Sequence, residues 1–523
     1  MHPSTSGAVV GVTYYREDAT TSVRNQYFAA IIVSLGVFCY GSAVGWVSPS
    51  MDQLQGVESP LGAALTASEV AAVASLFCVG GLAGSLASGV LVDRLGRWWT
   101  GLIIAIPYAI CWILKLTASS VYVLYAARVF AGAGGGGSML LAPLYCLEIG
   151  SLGVRGALGS LTVLSLNAGV LFSFIIGSYL PYTTVLWIHL SLPVVYFIGF
   201  YFMPDTPTFL VKKGKYEEAA KAIAWLRNTS TEDPVTEGVL SNLKEEVKLA
   251  SKDKEPIDKD IELIDGHGDG YQKYGAIQPK KKVPDWKFFV TSKVTMRAFA
   301  MCFILMTVQG YVGIFAVVSF VSEIFSAAGS TLSPSSASIV FGSLQLAGAF
   351  MSILLVDRLG RKVLFIASSA VLGLGMGTLG TYFYFKAHGY DMSFVGWIPV
   401  TALSIGIFMD ATGVGPIPFV IANEVFMVQA HGIAITILSI WFWVTQFVQT
   451  QFYNSAENAM GNEGIFWGFS GVAFFGTLFT IFLVPETKGK SLEEILQLFD
   501  STLKKEEVDD GFEDVRIDDS GHI

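Results

Sequence analysis

An all-α membrane protein is the fold class this sequence predicts, with twelve transmembrane helices in two six-helix bundles and a cytoplasmic helical domain between them. Three observations predict it. The 523 residues are 52% hydrophobic and only 14% charged, whereas soluble chains carry roughly 25% charged residues. Twelve stretches are long and apolar enough to cross a bilayer, which takes about 20 residues each. The pentapeptide DRLGR occurs twice, at Asp93–Arg97 and Asp357–Arg361, and each copy ends an apolar run.

The chain opens with a polar tail, 1–26. Spans at 27–47, 68–92, 99–117, 121–147, 156–180 and 184–203 make the first bundle, 27–203. The first of them is a full span rather than the short apolar core of a signal peptide. The stretch 204–297 is dense in Lys, Glu and Asp and cannot span. Its start, "DTPTFLVKKGKYEEAAKAIAWLRNTS", sets Phe209, Leu210, Ala219, Ala220, Ile223 and Leu226 at helical spacing, so it reads as amphipathic helices under the membrane domain. Spans at 298–326, 335–356, 364–385, 396–427, 430–455 and 464–484 make the second bundle, 298–484, and a polar tail, 485–523, follows. Of the 33 basic residues, all but Lys115, Lys386 and Arg128 fall on the side of the termini. The positive-inside rule therefore makes both termini cytoplasmic.

Composition also excludes. A net charge of −9 with no basic face argues against nucleic acid. The five cysteines sit in apolar stretches without CxxC spacing and read as buried hydrophobes. No metal cluster, nucleotide loop or Ser/His/Asp set is present, so neither a cofactor nor an enzyme is expected. "AGAGGGGS" at 131–138 has no following Lys and lies within a span, so it reads as close helix packing.

DRLGR is one of three echoes between the halves. "PLYCLE" and "PIPFVIANE" place Glu148 and Glu424 at matching points, and "MPDTP" and "VPETK" match after the sixth and twelfth spans. Parallel six-span repeats carry their site near the midplane between halves. The glycines of DRLGR permit a tight turn with positive φ. Arginines beside Asp93 and Asp357 can fork to carboxylates, and Glu148, Glu424 and Glu486 are the candidate partners. Such pairs bias the equilibrium between access states if only one state contains them.

With these motifs, and "RVFAG" at 128–132, "PDTP" at 204–207, "GPIPFVIANE" at 415–424 and "PETKGKSLEEI" at 485–495, the chain resembles the sugar porters of the major facilitator superfamily. The resemblance covers about 27–500, and PETKG is its most specific part. Among these porters it is most similar to insect facilitated trehalose and glucose transporters. It implies alternating access around a central hexose-type site. It also implies a cytoplasmic latch made by Asp93, Arg94, Arg97, Glu148 and Arg155 in the first half. Asp357, Arg358, Arg361, Glu424 and Glu486 are the second-half counterparts. Two positions depart from the pattern: His431 stands where an arginine is usual, and Thr208 where PESPR ends in arginine. The second-half latch is expected to be weaker and, through His431, pH-sensitive. Uptake profiles across the imidazole titration range should then differ between the native chain and His431→Arg, and superimposable profiles would count against this.

A neutral sugar needs neutral amides and an aromatic face, because unpaired charge is costly within the bilayer. The expected substrate residues are Asn167, Gln309, Gln345, Phe419, Trp443 and Gln446, with Gln449 a further amide within a span. Several amides usual in the family are absent. Gly310 and Phe315 replace two in span seven, Val163 one in span five and Phe442 one in span eleven, while Phe419 replaces a tryptophan. The substrate class therefore stays open between a hexose, a disaccharide such as trehalose, another polyol and a more apolar ligand. Gly41 stands where proton-coupled members carry an aspartate, which favours a uniporter. Asp410, an acid within span ten, leaves proton symport as the alternative. A non-transporting sugar sensor is the third reading. The expected setting is the plasma membrane, with the lipid bilayer and a small neutral sugar as partners and the monomer as the working unit.

Overall fold

The computed structural model describes residues 22–56, 59–151, 153–252, 289–330, 332–490 and 492–499. The polar stretch near 250–285, which its composition predicts to be mobile, lies largely outside them. Helix α1 (Arg24–Gly45) leads through Trp46 into the short α2 (Val47–Leu54). Helices α3 (Ala67–Leu95), α4 (Arg97–Leu116), α5 (Val121–Ile149), α6 (Arg155–Tyr179) and α7 (Tyr182–Tyr201) complete the first bundle. The short helices α8 (Pro207–Lys212), α9 (Tyr216–Arg227) and α10 (Pro234–Lys252) follow. They share a small apolar core of Leu210, Val211, Ala219 and Ala222. Asn25 donates to the Trp225 carbonyl and Arg227 to the Ile149 carbonyl, which ties α9 to the ends of α1 and α5.

The second bundle contains α11 (Lys293–Tyr311), α12 (Ile314–Ala328), α13 (Pro334–Leu359), α14 (Arg361–Ala387), α15 (Ile398–Met409), α16 (Ile417–Val425) and α17 (Val428–Leu483), and α18 (Leu492–Phe499) follows it. Among the described residues, eleven helical segments are long and apolar enough to cross a membrane, with α11–α12 and α15–α16 each taken as one. The count of twelve spans returns at α17, whose 56 residues include Gly461 at φ +71°, ψ 168°. An unbroken helix of that length would run about 84 Å, roughly twice a whole bilayer. Gly461 adopts a conformation closed to other residues, and the two legs are the eleventh and twelfth spans.

Two predicted spans are not continuous. Span seven breaks between α11 and α12 at Gly313, φ +98°. Span ten breaks at a wider π turn, Asp410–Val414, between α15 and α16. Hydropathy counts apolar residues and is blind to which carbonyl each N–H meets, so it cannot register either break. Such interruptions are tolerated in a membrane where the freed groups are buried in protein or line a cavity.

The glycine run at 131–138 packs as expected. A Cβ on Gly132 would strike the Phe77 carbonyl and one on Gly136 the Gly81 carbonyl, so α5 lies backbone-to-backbone on α3. All five cysteines are buried and free. Lys115, in the last turn of α4, is only 2% exposed. Its ammonium lies 3.4 Å from the Trp46 ring centroid and 3.9 Å from that of Trp112. Ring faces take the place of a carboxylate there.

Candidate functional site

The start of α1, the helix α18 after the last span, and α8–α10 lie on one side of the molecule, called here the near side. There the two DRLGR turns build two related networks. Gly96 sits at φ +93° and Gly360 at φ +91°. Just after each glycine, a carboxylate caps the next helix. Asp205 accepts from the Arg97 and Trp98 N–H groups at 3.0 and 3.3 Å. Glu486 accepts from those of Arg361 and Lys362, both at 3.0 Å. Helix N-termini favour an anion for the same reason in both halves: free N–H groups and a positive dipole end. Burial pushes the Asp205 carboxyl up from its usual range, and the three backbone N–H groups it accepts from oppose that shift.

The capped arginine then reaches a glutamate. Arg97 pairs with Glu148, joining α4 to α5. Arg361 pairs with Glu424 at 2.8 Å, joining α14 to α16, and with exposed Asp357 at 3.1 Å. The copies differ at one hydroxyl. Thr487 donates to Glu424 Oε2 at 2.6 Å. Its counterpart Thr206 and the matching Glu148 Oε2 are buried without a hydrogen-bond partner. Asp93, Arg94, Arg155 and Arg358 have exposed side chains. His431 is half-buried, and Glu424 meets Arg361 and Thr487 rather than His431. The pairs Arg97–Glu148 and Arg361–Glu424 thus each lie within one bundle. Reading single motifs left out Asp205, although the match of MPDTP to VPETK sets it opposite Glu486.

The bundles meet along two seams, α3 with α17 and α6 with α13. Hydrogen bonds between bundles fall at mid-depth or toward the far side. Ser48 meets Ser322 at 2.9 Å, Ser75 donates to Gln451 at 2.6 Å, and Asn454 to the Ala67 carbonyl at 2.9 Å. At mid-depth Trp443 donates to Ser85 at 3.1 Å. These contacts hold the two bundles together on the far side. The structure is therefore closed on the far side.

A chain of rings crosses the first seam. Trp443 lies 6.4 Å from Tyr40 and 6.4 Å from Phe77, and Phe77 lies 6.4 Å from Phe315. On the other flank Trp443 meets Phe442, and Phe442 meets Phe419, both at 5.3 Å. Arg128 holds Phe77 from behind, 4.7 Å from its centroid, and donates to the Val73 and Ala43 carbonyls. The Oε1 atoms of Gln309, on α11, and of Gln446, one turn beyond Trp443 on α17, are buried and accept no hydrogen bond. Gln345 Oε1, on α13 at the other seam, is in the same state. Asn167, across that seam on α6, turns its amide N–H to the Val163 carbonyl at 2.9 Å.

The structure thus brings Phe419, Trp443 and Gln446 to one seam and sets Asn167 and Gln345 on the helices of the other. Trp443 is 4% exposed, and its ring fills the place where a Gly81 side chain would stand. Asp410 lies in the π turn, buried, with no hydrogen bond or ion pair described for its carboxylate. Neighbouring Thr412 donates to the Gly348 carbonyl at 3.2 Å, and Gly413 packs on Ser368.

Comparison with known proteins agrees with this architecture. Residues 28–499 match the model of the family described as Sugar (and other) transporter. The facilitated trehalose transporter Tret1 of Polypedilum vanderplanki is 31% identical over 90% of this chain and 88% of its own length. That of Bombyx mori is 31% identical over 93% and 89%. A longer relative, from Drosophila virilis, is matched over 48% of its length. Among solved structures, the proton:xylose symporter XylE bound to 6-bromo-6-deoxy-D-glucose superposes with a TM-score of 0.68 at 20% identity, over 91% of this chain and 99% of that one. Its inward-open form gives 0.69 at 18% identity, over 90% and 99%. These last likenesses carry the major facilitator fold alone. The chain belongs to the Sugar (and other) transporter family, and so is a multi-pass integral membrane transporter, not an enzyme.

Proposed function

We propose that this protein is a facilitative carrier of a small neutral sugar, a hexose or a disaccharide such as glucose or trehalose, working as a monomer by alternating access. Buried, unpaired amide oxygens of Gln309 and Gln446, with rings from both bundles meeting at the first seam, carry the reading. A sugar offers hydroxyl donors to such acceptors and an apolar face to the rings. An unpaired buried acceptor otherwise costs about 1–3 kcal/mol, so its persistence favours a ligand role. Asn167 and Gln345 would complete the site from the second seam. The near-side networks would act as the latch, strongest when the near side closes and exposed Arg94, Arg155 and Arg358 approach the opposite bundle. Lys and Arg placement supports a near side that is cytoplasmic, with both termini there and the plasma membrane as setting.

Purified protein in liposomes should equilibrate labelled sugar and never exceed the outside concentration, even under an imposed pH gradient. Accumulation that Asp410→Asn abolishes would instead establish the symport reading, which the buried, unpaired Asp410 favours. Sugar binding without any uptake would mark a sensor.

A further inference from the structure

A lysine in the last turn of a span ordinarily extends its ammonium to the water at the interface. Lys115, in the last turn of α4, turns inward instead. The Cys111 thiol, one turn earlier, interacts with it, but the ammonium has no hydrogen-bond partner. It meets the ring faces of Trp46 and Trp112, whose planes cross at 77° with centroids 6.3 Å apart. A desolvated ammonium over a ring face is worth more than an exposed one. The rings are braced in turn. His189 stacks on Trp112 at 4.4 Å and meets the Ser173 hydroxyl at 2.7 Å. Ser173 donates to the Ser42 carbonyl of α1 at 2.7 Å, and Tyr182 lies 6.3 Å from Trp46. None of these residues belongs to the near-side networks or to the ring chain of the first seam.

Trp46 stands at the joint between α1 and α2. Just before it, a Cβ on Gly45 would lie 2.8 Å from the Val170 carbonyl, so the end of α1 is seated on α6 of its own bundle. Just after it, Val47 and Met51 are fully buried and Ser48 crosses to the second bundle. The Ser48 hydroxyl donates to that of Ser322 at 2.9 Å and accepts from the Ser322 N–H at 3.1 Å. Ser322 lies on α12, the second leg of the broken seventh span. The direction of α2 thus decides whether the far side closes at this corner, and the Trp46 ring at the joint sets that direction.

We propose that Lys115 is a positioning residue for far-side closure: its ammonium clamps the Trp46 ring against Trp112 and so aims α2 at α12. The proposal needs a carrier that alternates access, whatever its cargo. An uncharged side chain of similar length fills the same space but loses the attraction to both rings, which frees the joint to swing. The closed far side is then less populated in proportion.

The test is the rate of disulfide cross-linking between Ser48→Cys and Ser322→Cys in the full chain in liposomes, with Lys115 native, Lys115→Met or Lys115→Arg. Lys115→Met should slow it about tenfold without lowering the melting temperature, because methionine packs against rings with no charge to bury. Lys115→Arg keeps the charge and stacks on rings, so it should return to within about threefold of the native rate. A rate within about twofold of native in Lys115→Met overturns the proposal. Equal slowing in both variants, which would mark a packing role, overturns it too, as does slowing matched by a fall in melting temperature. Should Lys115→Met fail to fold, Trp46→Phe offers a weaker ring face and should slow cross-linking about threefold, and an unchanged rate there is equally fatal. The readout is closure rather than uptake. A negative result therefore leaves the sugar-carrier reading intact, and a native chain that moves no sugar still answers the question about Lys115.

Discussion

Gly81→Val is expected to stop transport while leaving the protein folded, because it prevents the far side from closing. A Cβ at position 81 would lie 2.5 Å from the Trp443 ring, and a valine adds two methyl groups beyond that. The ring cannot retreat freely: it donates to Ser85 and lies against Phe442. Separation of α3 from α17 is the cheaper response, since alternating access already requires that seam to open. A bias of about 3 kcal/mol shifts the ratio of states by more than a hundredfold. Cysteines at positions 48 and 322, whose native hydroxyls stand 2.9 Å apart, report the closed far side by cross-linking. We expect rapid cross-linking in the otherwise native chain, little in Gly81→Val, and recovery when Trp443→Ala is added. Undiminished cross-linking in Gly81→Val would show that the seam absorbs the valine, and the gating role of Trp443 would be lost with it.

Gly360→Ala is expected to be the more damaging of the small substitutions for stability. Position 360 sits at φ +91°, which costs an alanine about 1–2 kcal/mol. An added Cβ would also lie 2.5 Å from the Glu486 carboxylate. That carboxylate caps α14 through Arg361 and Lys362, and loss of a cap costs about 1 kcal/mol. The sum, about 2–3 kcal/mol, should appear as a markedly lower melting temperature in detergent. Gly468→Ala is the control, because its Cβ would meet nothing within 4 Å. Equal melting temperatures for the two variants would refute the argument that turn and cap form one unit.

Both expectations trace to features unequally visible in the sequence. The doubled DRLGR announced the turns, and the charged residues after spans four and ten announced the partners that Arg97 and Arg361 meet. The cap by Asp205 was equally available through the repeat, since a caps-the-helix carboxylate in one half implies its fellow in the other. Trp443 could be assigned an aromatic role, but nothing in its neighbourhood along the chain pointed to Gly81 or Ser85. Lys115 gave no sign of its surroundings, because a cation near a span end is ordinarily solvated and its two indole partners come from different helices.

The sequence by itself determined the spans, the two related halves, the turn chemistry of DRLGR and the family. Those properties depend on hydropathy over about 20 residues and on motifs that act within one turn of chain. Tertiary structure alone decided which side is closed, where spans seven and ten break, which ring bridges the seam and which amides stay unpaired. Each of these depends on helices hundreds of residues apart touching at a particular rotation. A helix rotates about 100° per residue, so a shift of one position moves a polar group from seam to lipid without altering composition.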